Sequence, residues 1–201
     1  MGCLLLFLLS YPLTRGLYRH GVLGSLLLAL FMLHHGVNWL WYKTLLKGRW
    51  NLRRCITTGI DVLLFMSALA VIVSSLYMSG EIFSFMPFPM TWWARSLHNC
   101  ATAWLFIIGA IHLGVRWRGL WNLGRRFLGK IWIFVALIIF IISLYCCWLS
   151  GFWLSLLSET TFLPETIEQF LIQYLGIALG FYLLPQMLFY LFNRIRVNQT
   201  P

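Results

Sequence analysis

The chain of 201 residues is too apolar for a soluble protein. Its residues are 61% hydrophobic and 10% charged, with a mean hydropathy of +0.82, whereas soluble domains are about 45–50% apolar and about 25% charged. The net charge of +10 comes from short basic runs between apolar segments, a pattern that sets membrane orientation and argues against binding to nucleic acid.

The first stretch of the chain, Met1 to Leu13, is apolar but too short to cross a membrane by itself, because a spanning helix needs about 20 residues. It lacks the basic start and the small-residue cleavage site that are typical of a signal peptide. We therefore expect it to be the remaining part of a spanning helix whose beginning is absent from this chain.

Five later segments are long and apolar enough to cross about 30 Å of hydrocarbon. They run approximately over residues 18–42, 55–79, 95–117, 130–154 and 167–192. These segments predict an all-α integral membrane fold, a multi-helix transmembrane bundle of five full spans plus the truncated N-terminal helix. Residues 1–120 hold the first three full spans, and residues 121–201 form a C-terminal two-helix transmembrane region.

Charged residues between the spans predict the orientation of the bundle. Basic residues follow the first, third and fifth spans: Lys43, Lys47, Arg49, Arg53 and Arg54; Arg116, Arg118, Arg125, Arg126 and Lys130; and Arg194 and Arg196. Because cytoplasmic loops are rich in Lys and Arg, these ends are predicted to be cytoplasmic, in a multi-pass protein of the cytoplasmic membrane. The outer ends then carry little basic charge apart from Arg15 and Arg19. Their acidic residues are Glu81, Glu159, Glu165 and Glu168.

Two pairs of histidines share one spacing inside the apolar segments. His20 and His34 are 14 residues apart in the first span, as are His98 and His112 in the third. In an α-helix this offset leaves a rotation of about 40° and a rise of about 21 Å, so each pair faces one side of its helix at two depths. Because the two spans are predicted to run in the same direction, His20 is expected level with His98 near the outer face, and His34 level with His112 near the inner face.

The paired histidines predict two haem groups rather than a zinc site. A structural zinc ion needs four ligands at one point, whereas a haem asks the protein for only two axial ligands. We predict an outer haem b held by His20 and His98 and an inner haem b held by His34 and His112, within a four-helix haem-binding core. The sequence has no CxxCH motif, which argues against covalent attachment.

Arginines near the predicted haems are candidate partners of the haem propionates, which prefer cationic partners. Arg19 and Arg95 are placed for the outer haem, and Arg116 and Arg54 for the inner one. The alternative role for each is an anchor at the lipid surface. Asp61 lies inside a span, where a carboxylate is costly; it either reaches the cytoplasmic surface or hydrogen-bonds a haem or a quinone.

His35 is turned about 100° from His34 and cannot share its face of the helix. His35 is the second candidate for the inner ligand. Its alternative role is that of a polar neighbour of the ligand or a contact between helices. Glycines beside the predicted sites allow close approach of either a macrocycle or another helix: Gly21, Gly24, Gly36, Gly109 and Gly114.

The paired histidines and their surroundings form three stretches, LLLFLLSYPLTRGLYRHGVLG, LHHGVNWLWYKTLLKGRWN and ARSLHNCATAWLFIIGAIHLGVRW. Together, from Leu4 to about Leu120, they resemble the DUF4405 family, also called flavinylation-associated cytochromes. The resemblance implies a haem b protein that moves electrons across the membrane, often beside extracytoplasmic proteins with covalent flavin. Gly21 stands where relatives are expected to have an acidic residue, which argues against an acid-assisted role at the outer site. Arg116 stands where many have a further histidine, which removes an extra inner ligand.

The predicted function is transmembrane electron transfer between a membrane quinol or an inner-face reductase and an extracytoplasmic flavoprotein, with the reverse direction equally allowed. No proton-transfer catalytic set is visible in the sequence, so we expect an electron-transfer subunit rather than a stand-alone enzyme. Two alternatives stay open: a transporter that passes metal ions or protons along the histidines, and an assembly subunit that keeps the bundle without haem. The segments between paired histidines, 22–33 and 99–111, are mostly apolar, which disfavours a polar transport path.

Overall fold

The computed structural model describes residues 2–9, 16–78, 91–158 and 166–198, which are helical apart from short turns and extended links and contain no strand. Five helical segments among them are long and apolar enough to cross a membrane: Tyr18–Val37, Leu52–Met78, Trp92–Arg116, Gly119–Leu149 and Ile167–Arg194. The prediction of an all-α, multi-pass membrane protein is confirmed. Arg15 and the predicted outer residues Glu81, Glu159 and Glu165 lie outside the described residues.

The helices follow the predicted spans with shifted ends. They are α1 (Gly2–Leu9), α2 (Leu17–Val37), α3 (Trp39–Thr44), α4 (Leu52–Met78), α5 (Trp92–Arg116), α6 (Gly119–Leu128), α7 (Trp132–Leu149), α8 (Phe152–Leu156) and α9 (Ile167–Asn198), with a 3-10 turn over Gly129–Ile131. The first predicted span extended to residue 42, but α2 ends at Val37. The helix ends there because Asn38 leaves the α-helical backbone conformation, with φ −94° and ψ 22°, and its side-chain amide donates to the His34 carbonyl at 2.7 Å.

The basic stretch before the fourth span forms the separate helix α6. Trp121 of α6 is buried against Trp132 of α7, with ring centres 6.3 Å apart. In the last turn of α6, Arg125 donates to the Gly129 carbonyl at 3.1 Å and lies over the Tyr190 ring at 4.6 Å. A cation at this position also complements the negative end of the helix dipole.

The main core lies between α5 and the C-terminal helices. Phe106 of α5, Cys147 of α7, Phe152 of α8 and Tyr174 of α9 belong to one buried cluster. The predicted regions 1–120 and 121–201 therefore meet in a shared core. Short α1 also packs against α2 and α5, with Leu8 buried.

Small residues bring the core helices close together. A Cβ at Gly114 of α5 would lie 2.0 Å from the Tyr182 carbonyl oxygen of α9, and one at Gly180 of α9 would lie 2.2 Å from the Cβ of Ser143 in α7. The Ser143 hydroxyl also donates to the Ile177 carbonyl at 3.1 Å. Close packing and interhelical hydrogen bonds are the main forces that hold helices together in lipid, so Gly114 serves helix packing.

Candidate functional site

The helix α4 runs antiparallel to α5 and touches both of its histidines. Ser74, near the end of α4, contacts His98 near the start of α5. Asp61, near the start of α4, contacts His112 near the end of α5. The two histidines of α5 therefore lie at two depths, each against a polar group of the same neighbouring helix.

The helix α2 runs in the same direction as α5, as the loop charges predict. Its first turn meets α5 through the rings of His20 and His98, and its inner half meets α4 through His35 and Phe65. Phe65 is one turn from Asp61 on α4. The start of α2 thus lies level with the start of α5, and its inner half lies at the depth of the Asp61 carboxylate.

The outer histidine pair comes together in the structure. The ring centres of His20 and His98 are 6.2 Å apart, and the ring planes are inclined at 65°. Two imidazoles that share one metal ion in a line have ring centres about 6 Å apart, since each metal–nitrogen distance is about 2 Å and each ring centre lies about 1 Å further back. The spacing of the outer pair is short enough that both imidazoles could hold one metal centre.

The hydroxyls of two serines contact the Nδ1 atom of His98. The hydroxyls of Ser74 and Ser75 each lie 3.3 Å from this atom. Each hydroxyl also donates its proton to a carbonyl of the preceding turn, Ser74 to Ala70 at 2.7 Å and Ser75 to Val71 at 2.7 Å. Because a hydroxyl has only one proton, both serines accept from His98. The Nδ1 atom then carries the proton of the neutral ring, and Nε2 is free to act as a ligand.

Asp61 holds the Nδ1 atom of His112 at the inner depth, as the two serines hold that of His98 at the outer depth. One carboxylate oxygen of Asp61 accepts from Nδ1 of His112 at 2.8 Å, and the other accepts from Arg116. The Asp61 side chain is only 11% exposed, so this pair of contacts satisfies its charge away from water. A carboxylate on one nitrogen of a histidine is a common way to direct the other nitrogen toward a metal. Neither predicted role of Asp61 included this contact.

The inner pair is not brought together as the outer pair is. Among the described residues, no ring contact joins His34 to His112; His34 is exposed, and its ring meets that of His35 at 5.5 Å. The rotation of α2 explains this difference, because His35 is the residue that faces Phe65 of α4. At the inner depth the structure therefore orients the imidazole of His112 alone. The prediction that His34 is the second ligand there stays a prediction.

His35 has the surroundings of a helix contact. Its ring packs against Phe31 at 4.2 Å and Phe65 at 5.2 Å, and its Nδ1 atom shares a hydrogen bond with the Tyr42 hydroxyl. These contacts tie the inner half of α2 to α4 on one side and to α3 on the other. They match the alternative role predicted for His35 beside that of a ligand.

Open space lies beside the outer histidine of α2. No residue of α2 whose burial is described is buried, in contrast to α5, where seven residues are. Gly24 lies one turn beyond His20 on the same side of the helix, and a Cβ there would have no atom within 4 Å. This face of α2 beside His20 is therefore not filled by another described helix.

The four predicted propionate partners have different surroundings. Arg19 and Arg95 are exposed at the starts of α2 and α5. Arg116 is bound by the Asp61 carboxylate. Arg54 donates to three backbone carbonyls of the preceding loop, of Thr44 at 3.0 Å, Leu45 at 3.1 Å and Arg49 at 3.3 Å. Its guanidinium stabilises the backbone of this segment. Its binding to a haem propionate stays a prediction.

Sequence reasoning missed the serines that hold His98. A signal for them exists: Asp61 and Ser75 are 14 residues apart, the same spacing as His98 and His112. On two antiparallel helices in register, equal spacings bring two pairs of residues face to face.

No family model, curated protein or solved structure matches the chain. Within the part of the chain that the structure describes, no group of three or more His, Cys, Asp or Glu side chains is placed to hold a metal ion. A haem differs from such an ion because it brings four equatorial nitrogens of its own and asks the protein for two.

Proposed function

We propose that this protein is a di-haem b-type cytochrome of the cytoplasmic membrane that transfers electrons across the bilayer. The observation that carries the proposal is that both histidines of α5 have Nδ1 held by a hydrogen-bond acceptor. Each therefore presents Nε2 as a ligand. Their offset of 14 residues separates the two positions by about 21 Å along one helix. A haem bound at each position supplies an iron that gains and loses one electron.

His20 and His98 are the proposed axial ligands at the outer depth. The 6.2 Å between their ring centres supports this assignment, as does the open space beside Gly24. Ser74 and Ser75 keep the His98 ring in one tautomer and one orientation. The exposed cations Arg19 and Arg95, on the first turns of the same two helices, are the proposed partners of the propionates there.

His34 and His112 are the proposed ligands at the inner depth. His112 is oriented by Asp61, and His34 repeats on α2 the offset that separates the histidines of α5. A rotation of α2 about its own axis is needed to turn His34 toward α5. Such a rotation would also change the contacts of Phe31 and His35 with Phe65 and the position of His20 against His98, although no described side chain of α2 is buried.

Electrons then pass between the two faces of the membrane. The proposed donor is a membrane quinol or a reductase on the inner face, and the proposed acceptor is an extracytoplasmic flavoprotein, as the resemblance to flavinylation-associated cytochromes implies. The chain's own part is to fix the distance between the two positions and to hold His98 against two serines and His112 against Asp61, contacts that would tune the potential of a bound haem.

An absorption spectrum of the purified protein, oxidised and then reduced with dithionite, tests the proposal. We expect the sharp reduced bands of a b-type cytochrome and two haems per chain. Colourless protein that retains zinc would favour a transporter, and colourless protein without metal would favour an assembly subunit. Either result overturns the proposal.

Histidine variants test the ligand assignment. His98→Ala and His112→Ala are each expected to remove half of the haem, as is His34→Ala. His35→Ala is the matched control, because it removes an imidazole one residue from His34 whose contacts are with Phe31, Phe65 and Tyr42. Equal haem loss in His34→Ala and His35→Ala would contradict the inner assignment.

A further inference from the structure

A basic cleft lies at the inner end of the bundle, where α4 begins and α5 ends. Its volume is about 430 Å³, and it is lined by Asn51, Arg53, Arg54, Thr57, Val115 and Arg116. The lining comes from α4, the residue before it and α5, and includes no residue of α2. The cleft lies on the α4 side of α5, away from α2, although Arg54 and Arg116 are also the predicted partners of the inner haem's propionates.

The cleft carries positive charge that its own lining does not neutralise. Three of its lining residues are arginines and none is acidic. The charge of Arg116 is balanced by Asp61. Arg54 donates only to neutral carbonyls, and Arg53 lies over the Phe189 ring at 5.4 Å. Contacts with carbonyls and aromatic rings hold a guanidinium in place but leave its charge intact.

We propose that this cleft binds a phosphate group. Guanidinium groups match the geometry of phosphate oxygens and form paired hydrogen bonds with them. The Asn51 amide and the Thr57 hydroxyl line the same cleft as neutral polar groups. Two sources carry this chemistry, the headgroup of an anionic phospholipid and free inorganic phosphate. The position at the basic ends of two membrane spans favours the lipid, because basic pockets between spans on the cytoplasmic side bind anionic headgroups.

Lipid retention by the full-length chain tests the proposal. The protein is purified in a non-ionic detergent, washed free of lipid and mixed with phosphatidylglycerol or phosphatidylcholine, and native mass spectrometry counts the lipids that remain bound. We expect phosphatidylglycerol to be retained at least about fivefold better, because the choline cation of the other lipid is repelled by the arginines. Arg53→Gln is expected to remove most of this preference.

Arg126→Gln is the matched control, since it removes the same charge from an exposed position of α6 outside the cleft. Thermal unfolding without lipid checks that each variant is folded. Should Arg53→Gln fail this check, Arg53→Lys serves instead, and it is expected to keep at least half of the preference. Equal retention by Arg53→Gln and Arg126→Gln, or the loss of all preference in folded Arg53→Lys, would count against the lipid.

Inorganic phosphate distinguishes the two sources. A rise in the unfolding temperature with phosphate that depends on Arg53, without a preference for phosphatidylglycerol, assigns the cleft to free phosphate. A preference for the lipid without this rise assigns it to the headgroup. If neither probe depends on Arg53, the cleft is not a phosphate site. The haem content of these variants is read separately, so this result and the result for the proposed function are independent.

Discussion

At the scale of single residues, the most informative contacts are those of the Nδ1 atoms of His98 and His112. Histidine binds a metal through a nitrogen that carries no proton, and the acceptors around Nδ1 of His98 and His112 decide which nitrogen that is. The sequence predicted both histidines but not the groups behind them. The position of Asp61 inside a span indicates a costly carboxylate, but its neighbours depend on the register of α4 against α5, which no single-helix pattern specifies.

The Asp61 contact predicts a selective loss of haem. In Asp61→Asn, the side chain keeps its shape but no longer offers a carboxylate to His112 and Arg116. Removal of such a partner typically costs about 10- to 100-fold in metal affinity. We therefore expect the inner haem to be lost at dilutions where the outer haem remains, measured by haem titration of the purified variant.

The reduction potential gives a second measurement on the same variant. An anionic partner makes the imidazole a stronger electron donor and so stabilises the oxidised iron. On the proposed function, a haem ligated by His112 in Asp61→Asn is therefore expected to have a higher midpoint potential. A titration curve identical to that of the unchanged protein would show that Asp61 does not act on this ligand.

The contacts of Ser74 and Ser75 with His98 predict a selective loss of the outer haem. The double variant Ser74→Ala with Ser75→Ala leaves Nδ1 of His98 without its two acceptors. We expect weaker binding of the outer haem and unchanged binding of the inner one, again by haem titration. Ser67→Ala is the control, because Ser67 lies on the same helix and its hydroxyl donates to the Leu63 carbonyl. Loss of both haems in the double variant would indicate a general loss of folding instead.

At the scale of helices, the apolar segments predicted the existence of the spans better than their ends. Length and hydropathy are averaged over a window, so they identify all five spans. An end depends on the backbone conformation of one or two residues, as at Asn38, where φ is −94° and ψ is 22°. The predicted spans do not include α6, because its basic residues interrupt the apolar pattern although its other side buries Trp121.

Helix packing predicts that Gly114 tolerates no side chain. In Gly114→Ala, the new Cβ would lie 2.0 Å from the backbone carbonyl of Tyr182, and a backbone atom cannot move aside without shifting α9. Overpacking of this kind costs about 1–3 kcal/mol, so the unfolding temperature in detergent is expected to fall.

Gly59→Ala provides the matched comparison for this prediction. Gly59 lies within α4, and a Cβ there would have no atom within 4 Å. The same substitution is therefore expected to leave the unfolding temperature unchanged or to raise it slightly, because alanine favours the helix over glycine. A similar fall in both variants would mean that contact with α9 is not the cause.

At the scale of the whole molecule, α5 is the central helix. It packs along α4 on one side and against α8 and α9 on the other, whereas α2 touches the bundle mainly through aromatic rings. The sequence predicted the common direction of α2 and α5 from loop charge. It did not predict this unequal packing, because the apolar content of α2 and α5 is similar and the partners of each were unknown.

The orientation of the bundle predicts which membrane face exposes Cys55. This thiol is free and exposed at the start of α4, beside the basic residues that predict the cytoplasmic side. We expect a membrane-impermeant maleimide to label Cys55 in inside-out vesicles and not in sealed right-side-out vesicles. Cys55→Ala identifies the labelled site. Labelling that depends on Cys55 from the outer face would reverse the orientation.

The weak attachment of α2 has a consequence for how the protein matures. The densely packed part of the bundle is complete without this helix, so the polypeptide is able to insert and fold before any cofactor arrives. On the proposed function, a haem dissolved in the bilayer would enter from the side, between α2 and α5. Loading would be the last step of biogenesis, and the final position of α2 would record whether it has taken place.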